Sequence, residues 1–236
     1  MARQFFLVFV LFASATGLFA EGPTAFTADS DTVVLWAFDE GNGVLFNDKV
    51  GGLTLGVSPD GKEPVWVDGK FGKALSLPGE TVFGGEYAEG NPPPDFSSGV
   101  TVEAWIKPSA EDEGNQMGLL QWANAFRWTI DHTGTIIFLV AGEGDEGSET
   151  GAPSKLKVPF GEWSHVAGTY DGSFIRVFIN GELVGEQEFT NSKLITRTSR
   201  GPVFVGVISA EPKPYFIGEI NGIRISNKAR TDFPTQ

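Results

Sequence analysis

Cysteine is absent from the 236 residues of this chain, and histidine occurs only twice. Without thiols the protein has no disulfide staples and no thiolate or redox chemistry. His132 and His165 are too few for an imidazole metal site, and neither G-x-S-x-G nor H-E-x-x-H occurs in the sequence. The motifs of two common hydrolase classes are therefore missing.

Positive charge is scarce. The chain has 17 Lys and Arg against 30 Asp and Glu, a net charge of −13 that becomes −14 if Arg3 is removed with an N-terminal signal. No element gathers lysine and arginine, and nucleic acid and anionic lipid surfaces repel an acidic protein. We therefore expect no nucleic-acid partner and no membrane insertion after signal cleavage.

Long apolar runs are also rare, and the one that exists lies at the N-terminus. Phe5 to Phe12 is apolar, Arg3 is the only charge nearby, and small residues follow. This pattern predicts a signal peptide over residues 1–20, with cleavage after Ala15 or Ala20, and hence a secreted or periplasmic protein. A membrane span would need about 20 apolar residues. The alternative is a buried first strand, which the missing period-2 alternation disfavours.

Glycine and proline are abundant, with 31 and 14 residues. They separate short segments in which β-branched and aromatic residues alternate with polar ones, and no window beyond about ten residues has a helical period with caps. The stretch from Gly161 to Phe189 predicts three successive strands, broken at Asp171-Gly172 and Asn180-Gly181, where tight hairpin turns are favoured. The pattern predicts an all-β fold with an antiparallel meander at its core.

The same alternation predicts thirteen strands, and a mature chain of about 215 residues fits one domain. Two acidic or proline-rich loops, Ala141 to Pro153 and Tyr87 to Asp95, are expected at the surface. The strands are expected at Thr32–Phe38, Leu53–Val57, Lys73–Leu77, Val100–Lys107, Met117–Trp122, Phe126–Ile130, Thr135–Val140, Lys155–Val158, Trp163–Tyr170, Phe174–Ile179, Leu183–Phe189, Val203–Val207 and Tyr215–Ile225.

Five segments in a fixed order resemble the laminin-G-like, concanavalin A-like jelly-roll domains of secreted bacterial proteins. They are LWAFDEGNG, GKFGKALSLPG, VTVEAWIKP, the Gly161–Phe189 stretch and FIGEINGIRIS. The resemblance implies a two-sheet antiparallel sandwich over residues 32–231, with the first and last strands adjacent. A linker at 21–31 precedes this domain and a tail at 232–236 follows it. The resemblance also implies that the concave face or the rim loops are free for ligands.

Period-2 alternation also sorts side chains into faces without reference to any family. Val102 and its apolar neighbours point one way, which leaves Glu103 and Trp105 on the other face, and His165 and Arg176 are expected to share it. An aromatic ring flanked by a carboxylate, an imidazole and a guanidinium has the composition of a sugar or peptide site. The alternative is that a loop covers this face and satisfies these groups locally.

A calcium ion between the first and last strands is a further implication of the resemblance. Asp39 and Asp48 would be ligands, with Asn221 at a position where the family often has an aspartate. Calcium prefers six to eight oxygens, several of them carboxylate, so an amide at this position weakens the site. The alternative is that both aspartates cap turns. The acidic loop with Glu143, Asp145, Glu146 and Glu149 could also gather calcium, although a solvated charge run is the expected structure.

Related sandwiches hydrolyse polysaccharides with an E-x-D-x-E strand, and the nearest match here, Glu143 to Gly147, lacks the last acid and lies in a glycine-rich loop. We therefore expect no catalysis. The leading hypothesis is a secreted recognition module that binds a carbohydrate or an extracellular protein. Two alternatives stay open, a degenerate or unrecognised polysaccharide hydrolase or lyase, and a structural spacer or surface-layer piece. The oligomeric state is left open as well.

Overall fold

A computed structural model describes residues 25–59, 61–85, 94–109, 116–123, 125–141, 149–189, 202–208 and 214–235. Within these ranges the chain forms sixteen strands. None of the residues so described forms a helix of the length and apolarity that crossing a bilayer requires. The strands are β1 (Thr32–Trp36), β2 (Leu45–Phe46), β3 (Leu55–Val57), β4 (Val65–Asp68), β5 (Lys73–Pro78), β6 (Phe83–Gly85), β7 (Val100–Pro108), β8 (Met117–Trp122), β9 (Phe126–Ile130), β10 (Ile136–Ala141), β11 (Glu149–Pro153), β12 (Ser164–Tyr170), β13 (Phe174–Ile179), β14 (Glu182–Glu188), β15 (Val203–Val205) and β16 (Ile217–Ser226).

The strands form two antiparallel sheets, as the sequence predicts. The first sheet has the order β14-β13-β12-β7-β16-β5-β4, and β1 also pairs with β16. The second has the order β11-β10-β9-β8-β15-β6-β3-β2. Large crossovers such as β7 beside β16 are what a jelly roll requires, so the all-β, two-sheet antiparallel sandwich is confirmed.

The core lies between the two sheets, where the apolar residues of each strand alternate inward. Val102 and Val166 are fully buried in it, which confirms the faces assigned from the sequence. Gly168 of β12 is needed for this packing, because a Cβ there would lie 2.3 Å from Cγ of Phe138 on the opposite sheet. The bare backbone of β12 therefore lets a large ring approach from β10.

The meander β12-β13-β14 has the turns that its sequence predicts. Asn180 and Gly181 both have positive φ, 49° and 80°, as a two-residue hairpin turn of the primed type needs. The side chain of Asn180 also accepts a hydrogen bond from the backbone N–H of His165 at 2.8 Å. Strand register in this part of the sheet is therefore set by local sequence.

Some strand predictions were wrong. Residues 155–158 form no strand, and the pairing partner of β10 is instead β11, which lies in the segment that the sequence assigned to a surface loop. The segment ETGAP has no apolar alternation, so only the ladder with β10 keeps it extended. Strands β2, β4 and β6 are two to four residues long and give too short a pattern to detect.

The first and last strands are neighbours, as the family resemblance implies. Thr32 of β1 stands opposite Ser226 of β16. Just outside this pair, the backbone N–H of Asn227 donates to the carbonyl of Asp31 at 3.0 Å. The segments that precede β1 and follow β16 therefore leave the first sheet beside each other.

Candidate functional site

The expected ligand-binding residues share a face, but that face is covered. Trp105 stands directly opposite His165 in the β7-β12 ladder, and Glu103 stands opposite Ala167. Relative exposure is only 0% for Glu103, 2% for Trp105 and 0% for His165. The expectation of an open platform is therefore corrected at these three positions, where no ligand has access while the covering segments are in place.

Two terminal segments cover this face. We call residues 25–31 and 227–235 the terminal cover. The Phe26 ring contacts His165 with centroids 5.8 Å apart, and the Phe233 ring contacts the same imidazole at 5.7 Å. Because the rings approach His165 from both chain ends, burial of the face depends on contacts between residues more than 60 positions apart in sequence.

A charged cluster lies beneath the terminal cover. Glu103 accepts hydrogen bonds from His165 Nε2 at 3.0 Å and from Arg224 Nε at 2.8 Å. Burial by itself raises the pKa of Glu103, but these two hydrogen bonds and the charge of Arg224 outweigh it and hold the pKa below its ordinary value. Glu103 is therefore an ionised, internally paired carboxylate.

Arg224 is a member of this cluster that the sequence analysis missed. It lies on β16 directly opposite Glu103 of β7. Alternation within the segment FIGEINGIRIS would have placed Arg224 on the outer face, because Ile223 and Ile225 are buried in the core. Only the order of strands in the sheet, in which β16 lies beside β7, shows that Arg224 is next to Glu103.

Buried polar atoms of the covered face that have no hydrogen-bond partner in the described structure include Nε1 of Trp105 and Nδ1 of His165. The indole is enclosed by Phe71, with ring centroids 5.2 Å apart, and by the ammonium of Lys70, 4.8 Å from the ring centroid. Most buried polar groups in proteins are paired, so these two require an explanation.

Arg176 does not join the other three residues. It stands opposite Thr169, near the far end of β12 from His165. Its guanidinium is ion-paired to Asp171 at 2.6 Å and to Glu186 at 2.7 Å. Desolvation opposes the charge, but these carboxylates raise the pKa of Arg176 further. The predicted four-residue site is therefore not assembled.

The three expected calcium ligands do not fit a cation site. The Asp48 carboxylate accepts four backbone N–H bonds, from Leu35, Val50, Gly51 and Leu53, at 2.8 to 3.2 Å. These donors present partial positive charge to both oxygens, where a metal would need to approach. The structure matches the alternative in which Asp48 caps a loop.

The other two expected ligands are also engaged. Asp39 pairs with Lys49 at 3.0 Å. Asn221 accepts from the N–H of Phe71 at 2.7 Å and donates to the carbonyl of Lys73 at 2.9 Å. Among the residues described, no group of three His, Asp or Glu side chains could hold a metal ion.

Most of the acidic loop, with Glu143, Asp145 and Glu146, lies outside the described residues. Glu149, at its end, belongs to β11 and pairs with Arg127 at 2.5 Å. Burial raises the pKa of Glu149, and the nearby guanidinium offsets only part of that effect. Glu149 therefore forms an ion pair that links β11 to β9 across β10.

An open groove lies at the edge strand β14, and the sequence analysis did not find it. It has a volume of about 370 Å³, and we call it the β14 groove. Leu156 and Leu183 stand in it with 48% of each residue exposed. Its lining residues are Lys155, Leu156, Glu182, Leu183, Val184, Gly185 and Glu186.

Two backbone contacts shape the β14 groove. The N–H of Lys155 donates to the carbonyl of Val184 at 2.7 Å, which attaches the chain after β11 to the edge of β14. Gly185 permits this approach, because a Cβ there would lie 2.4 Å from the carbonyl oxygen of Pro153. The groove is thus built on paired backbone, a firm support for a binding site.

Comparisons with known proteins bear on the fold and family. Domain 4 of a GH43 extracellular arabinanase from Geobacillus stearothermophilus, solved in complex with arabinotriose, has a TM-score of 0.62 and 22% identity over 84% of this chain and 93% of that chain. The botulinum neurotoxin serotype G binding domain has a TM-score of 0.63 and 11% identity over 84% of this chain and 48% of that chain. The binding domain of botulinum neurotoxin DC, solved with rat synaptotagmin II, has a TM-score of 0.65 and 13% identity, covering 85% of this chain and 49% of that one.

This chain spans about half the length of those neurotoxin domains. At these identities the likeness shows a shared fold and nothing more. A search of curated proteins finds no significant match. A family model described as the concanavalin A-like lectin/glucanases superfamily matches residues 83–232, well over half of the sequence. The chain therefore belongs to the concanavalin A-like lectin/glucanase superfamily.

Proposed function

We propose that this protein is an exported, non-catalytic recognition module that binds a carbohydrate or an extracellular protein in the β14 groove. The observation that carries the proposal is the groove itself, with two half-exposed leucines between charged side chains. Large apolar side chains exposed together in a concave site are a recurring feature of binding surfaces.

The chemistry of the β14 groove suits a ligand with both apolar and polar faces. Leu156 and Leu183 offer an apolar surface, while the ammonium of Lys155 and the carboxylate of Glu182 can bond hydroxyl or amide groups at its rim. The volume of about 370 Å³ matches a short oligosaccharide or one or two side chains of a protein partner.

The structural neighbours support recognition as the role. The arabinanase domain, which this chain covers almost completely, was solved in complex with arabinotriose. The neurotoxin DC binding domain was solved with rat synaptotagmin II. Both a glycan and a protein are therefore bound by proteins of this fold, and we carry both classes over as candidate partners.

A non-catalytic role is favoured by the state of the carboxylates. Glycoside hydrolysis needs two available carboxyl groups facing one open site. Glu186, at the groove, is bound to Arg176, and Glu103 is buried with two partners of its own. Glu182 is then the one carboxylate of the groove lining that is not held by Arg176, and a single carboxylate does not make the pair that glycoside hydrolysis requires.

The test compares two substitutions of exposed leucines. Leu183→Asp places a charge in the β14 groove, whereas Leu45→Asp changes a leucine, 62% exposed, on the edge strand β2 outside that groove. The mature protein and both variants would be screened on a glycan array that includes arabinotriose, and against extracellular proteins by pull-down. We expect Leu183→Asp to weaken binding roughly tenfold or more and Leu45→Asp to leave it unchanged. Equal binding by both folded variants would remove the groove as the site.

A further inference from the structure

Asparagine is followed by glycine at three places in the chain, Asn42-Gly43, Asn180-Gly181 and Asn221-Gly222. Such a pair can lose ammonia, because the backbone nitrogen after an asparagine can attack the side-chain amide carbon and glycine has no side chain to hinder the approach. The reaction is fast only where the reacting atoms can reach an attack geometry. The structure therefore decides which of the three pairs reacts in the folded protein.

Asn221 is held by the fold. It is 1% exposed, its Oδ1 accepts from the N–H of Phe71 at 2.7 Å, and its Nδ2 donates to the carbonyl of Lys73 at 2.9 Å. The glycine that follows is packed as well, since a Cβ on Gly222 would lie 3.2 Å from Cβ of Ala25. Burial and hydrogen bonding therefore protect this amide from the backbone nitrogen and from water.

Asn180 is held in its hairpin turn. Its Oδ1 accepts from the backbone N–H of His165 at 2.8 Å. Gly181 is confined too, because a Cβ there would lie 3.1 Å from Cγ2 of Thr235 and 3.2 Å from the carbonyl oxygen of Phe233. Turning the Asn180 amide toward the nitrogen of Gly181 would break a hydrogen bond between β12 and the turn that follows β13.

Asn42 has none of these restraints. Asn42 and Gly43 are both exposed, in the loop between β1 and β2. Among the described residues the Asn42 side chain makes one hydrogen bond, from Nδ2 to the carbonyl of Glu40. Its length of 3.4 Å exceeds the roughly 2.7 to 3.2 Å of a normal bond of this type. Around Gly43, which has a φ of 86°, no described atom beyond its chain neighbours lies within 4 Å of a Cβ position.

We propose that Asn42 is a deamidation site, and that of the three pairs it alone reacts in the folded protein. The backbone nitrogen of Gly43 bonds to Cγ of Asn42 and gives up its hydrogen, the amide nitrogen leaves as ammonia, and a cyclic succinimide forms. Water then opens the ring. Opening at one carbonyl gives aspartate, and opening at the other gives isoaspartate, in which the main chain runs through Cβ and Cγ. Water is the only co-reactant.

The modified residue lies where an edge of the first sheet meets an edge of the second. The carbonyl of Gly43 accepts a hydrogen bond from Nε1 of Trp66 at 3.1 Å. Trp66 belongs to the edge strand β4, and its ring contacts Phe46 of the edge strand β2 with centroids 6.0 Å apart. Isoaspartate lengthens the main chain directly before the Gly43 carbonyl and therefore moves this acceptor away from the indole. The β14 groove lies at the opposite edge of the first sheet and is unaffected.

The experiment follows all three pairs in one sample. The full mature chain is incubated in mildly alkaline buffer, either folded or unfolded in urea, then digested with trypsin and analysed by mass spectrometry. Trypsin cleaves between the three pairs, so each lies in a different peptide, and a sample digested before incubation gives the background. In the folded protein we expect Asn180 and Asn221 to react roughly ten times more slowly than Asn42, or slower still. In urea all three should react at similar rates.

Asn42→Gln is the matched control, because its longer side chain does not readily form the same ring, and its peptide should keep its mass. The isoaspartate form of the parent, enriched by ion exchange, should have a thermal midpoint lower by roughly 2 to 4 °C, a shift that Trp66→Phe should reproduce. Equal reaction of the three pairs in the folded protein, or no reaction at Asn42, overturns the proposal. The same advantage for Asn42 in urea also overturns it, since the fold would then not be the cause.

Discussion

Replacing Glu103 by glutamine tests whether the buried charged cluster holds the covered face together. The substitution keeps the shape of the side chain but removes the charge that pairs with Arg224 and His165. Removing one partner from a buried ion pair costs about 3 to 5 kcal/mol. Arg224 keeps its bond to the carbonyl of Thr27, so we expect a value at the lower end, about 3 kcal/mol.

The assay is urea unfolding of the mature protein at pH 7, supported by thermal unfolding. For a domain of this size, about 3 kcal/mol corresponds to a fall of roughly 6 to 12 °C in the midpoint. Glu219→Gln is the matched control, because Glu219 lies on the same strand as Arg224 and forms a partly exposed pair with Lys107 at 3.1 Å. That pair should contribute only about 0.5 kcal/mol. Equal destabilisation by the two substitutions would refute the reasoning.

The lowered pKa of Glu103 predicts how the destabilisation caused by Glu103→Gln changes with pH. The folded-state pKa of Glu103 lies below the ordinary value of 4.5, so folding holds the carboxylate in its ionised form. The stability that this provides is fully present above pH 4.5 and is lost as the pH falls through the folded-state pKa. The difference in free energy of unfolding between the parent and Glu103→Gln should therefore shrink on acidification. A constant difference from pH 7 to pH 3 would contradict the assigned ionisation.

The remaining predictions concern the loop cap, the core and the N-terminus. Asp48→Ala leaves four backbone N–H groups without their acceptor and should cost about 2 to 4 kcal/mol in urea unfolding. Calcium in excess should not move the thermal midpoint of the parent, and an upward shift would show a site in the folded state. Gly168→Ala should cost about 3 kcal/mol or more, because its Cβ would clash with Phe138. The mass of the exported protein should correspond to cleavage after Ala15 or Ala20, and an uncleaved mass would refute the signal prediction.

Local patterning accounts for the parts of the fold that were predicted. The bounds of β8, β9 and β13 agree with the structure, because β-branched and aromatic residues alternate there between clear turn signals. The hairpin at Asn180 and Gly181 was identified because few residue pairs adopt positive φ at both positions. In each of these cases the strand or turn is determined by residues within a few positions of it in the sequence.

The β14 groove and the covered face depend on contacts that local patterning does not contain. The groove exists because the chain after β11 hydrogen-bonds to β14. The sequence predicts β14 to within one residue at each end, but it assigns the segment of β11 to a surface loop and residues 155–158 to a strand that does not form. The strand β11 is extended by its ladder with β10 instead of by its own composition. Pairing across long sequence separations therefore decided where a groove could form.

The covered face shows that an aromatic residue beside charged residues on the outer face of a strand can belong either to an open ligand-binding surface or to a second core. Trp105 and Glu103 have the composition of a ligand platform, yet Trp105 forms a small second core with Leu35 and Phe26, and the rings of Phe26 and Phe233 cover the adjacent His165. What decides between the two is the presence of apolar residues just outside the first and last strands. Here Phe26 precedes β1 and Phe233 follows β16, each within seven residues of the strand end. In a sandwich whose terminal strands are adjacent, flanking rings of this kind predict a covered face and direct the search for ligands to the sheet edges.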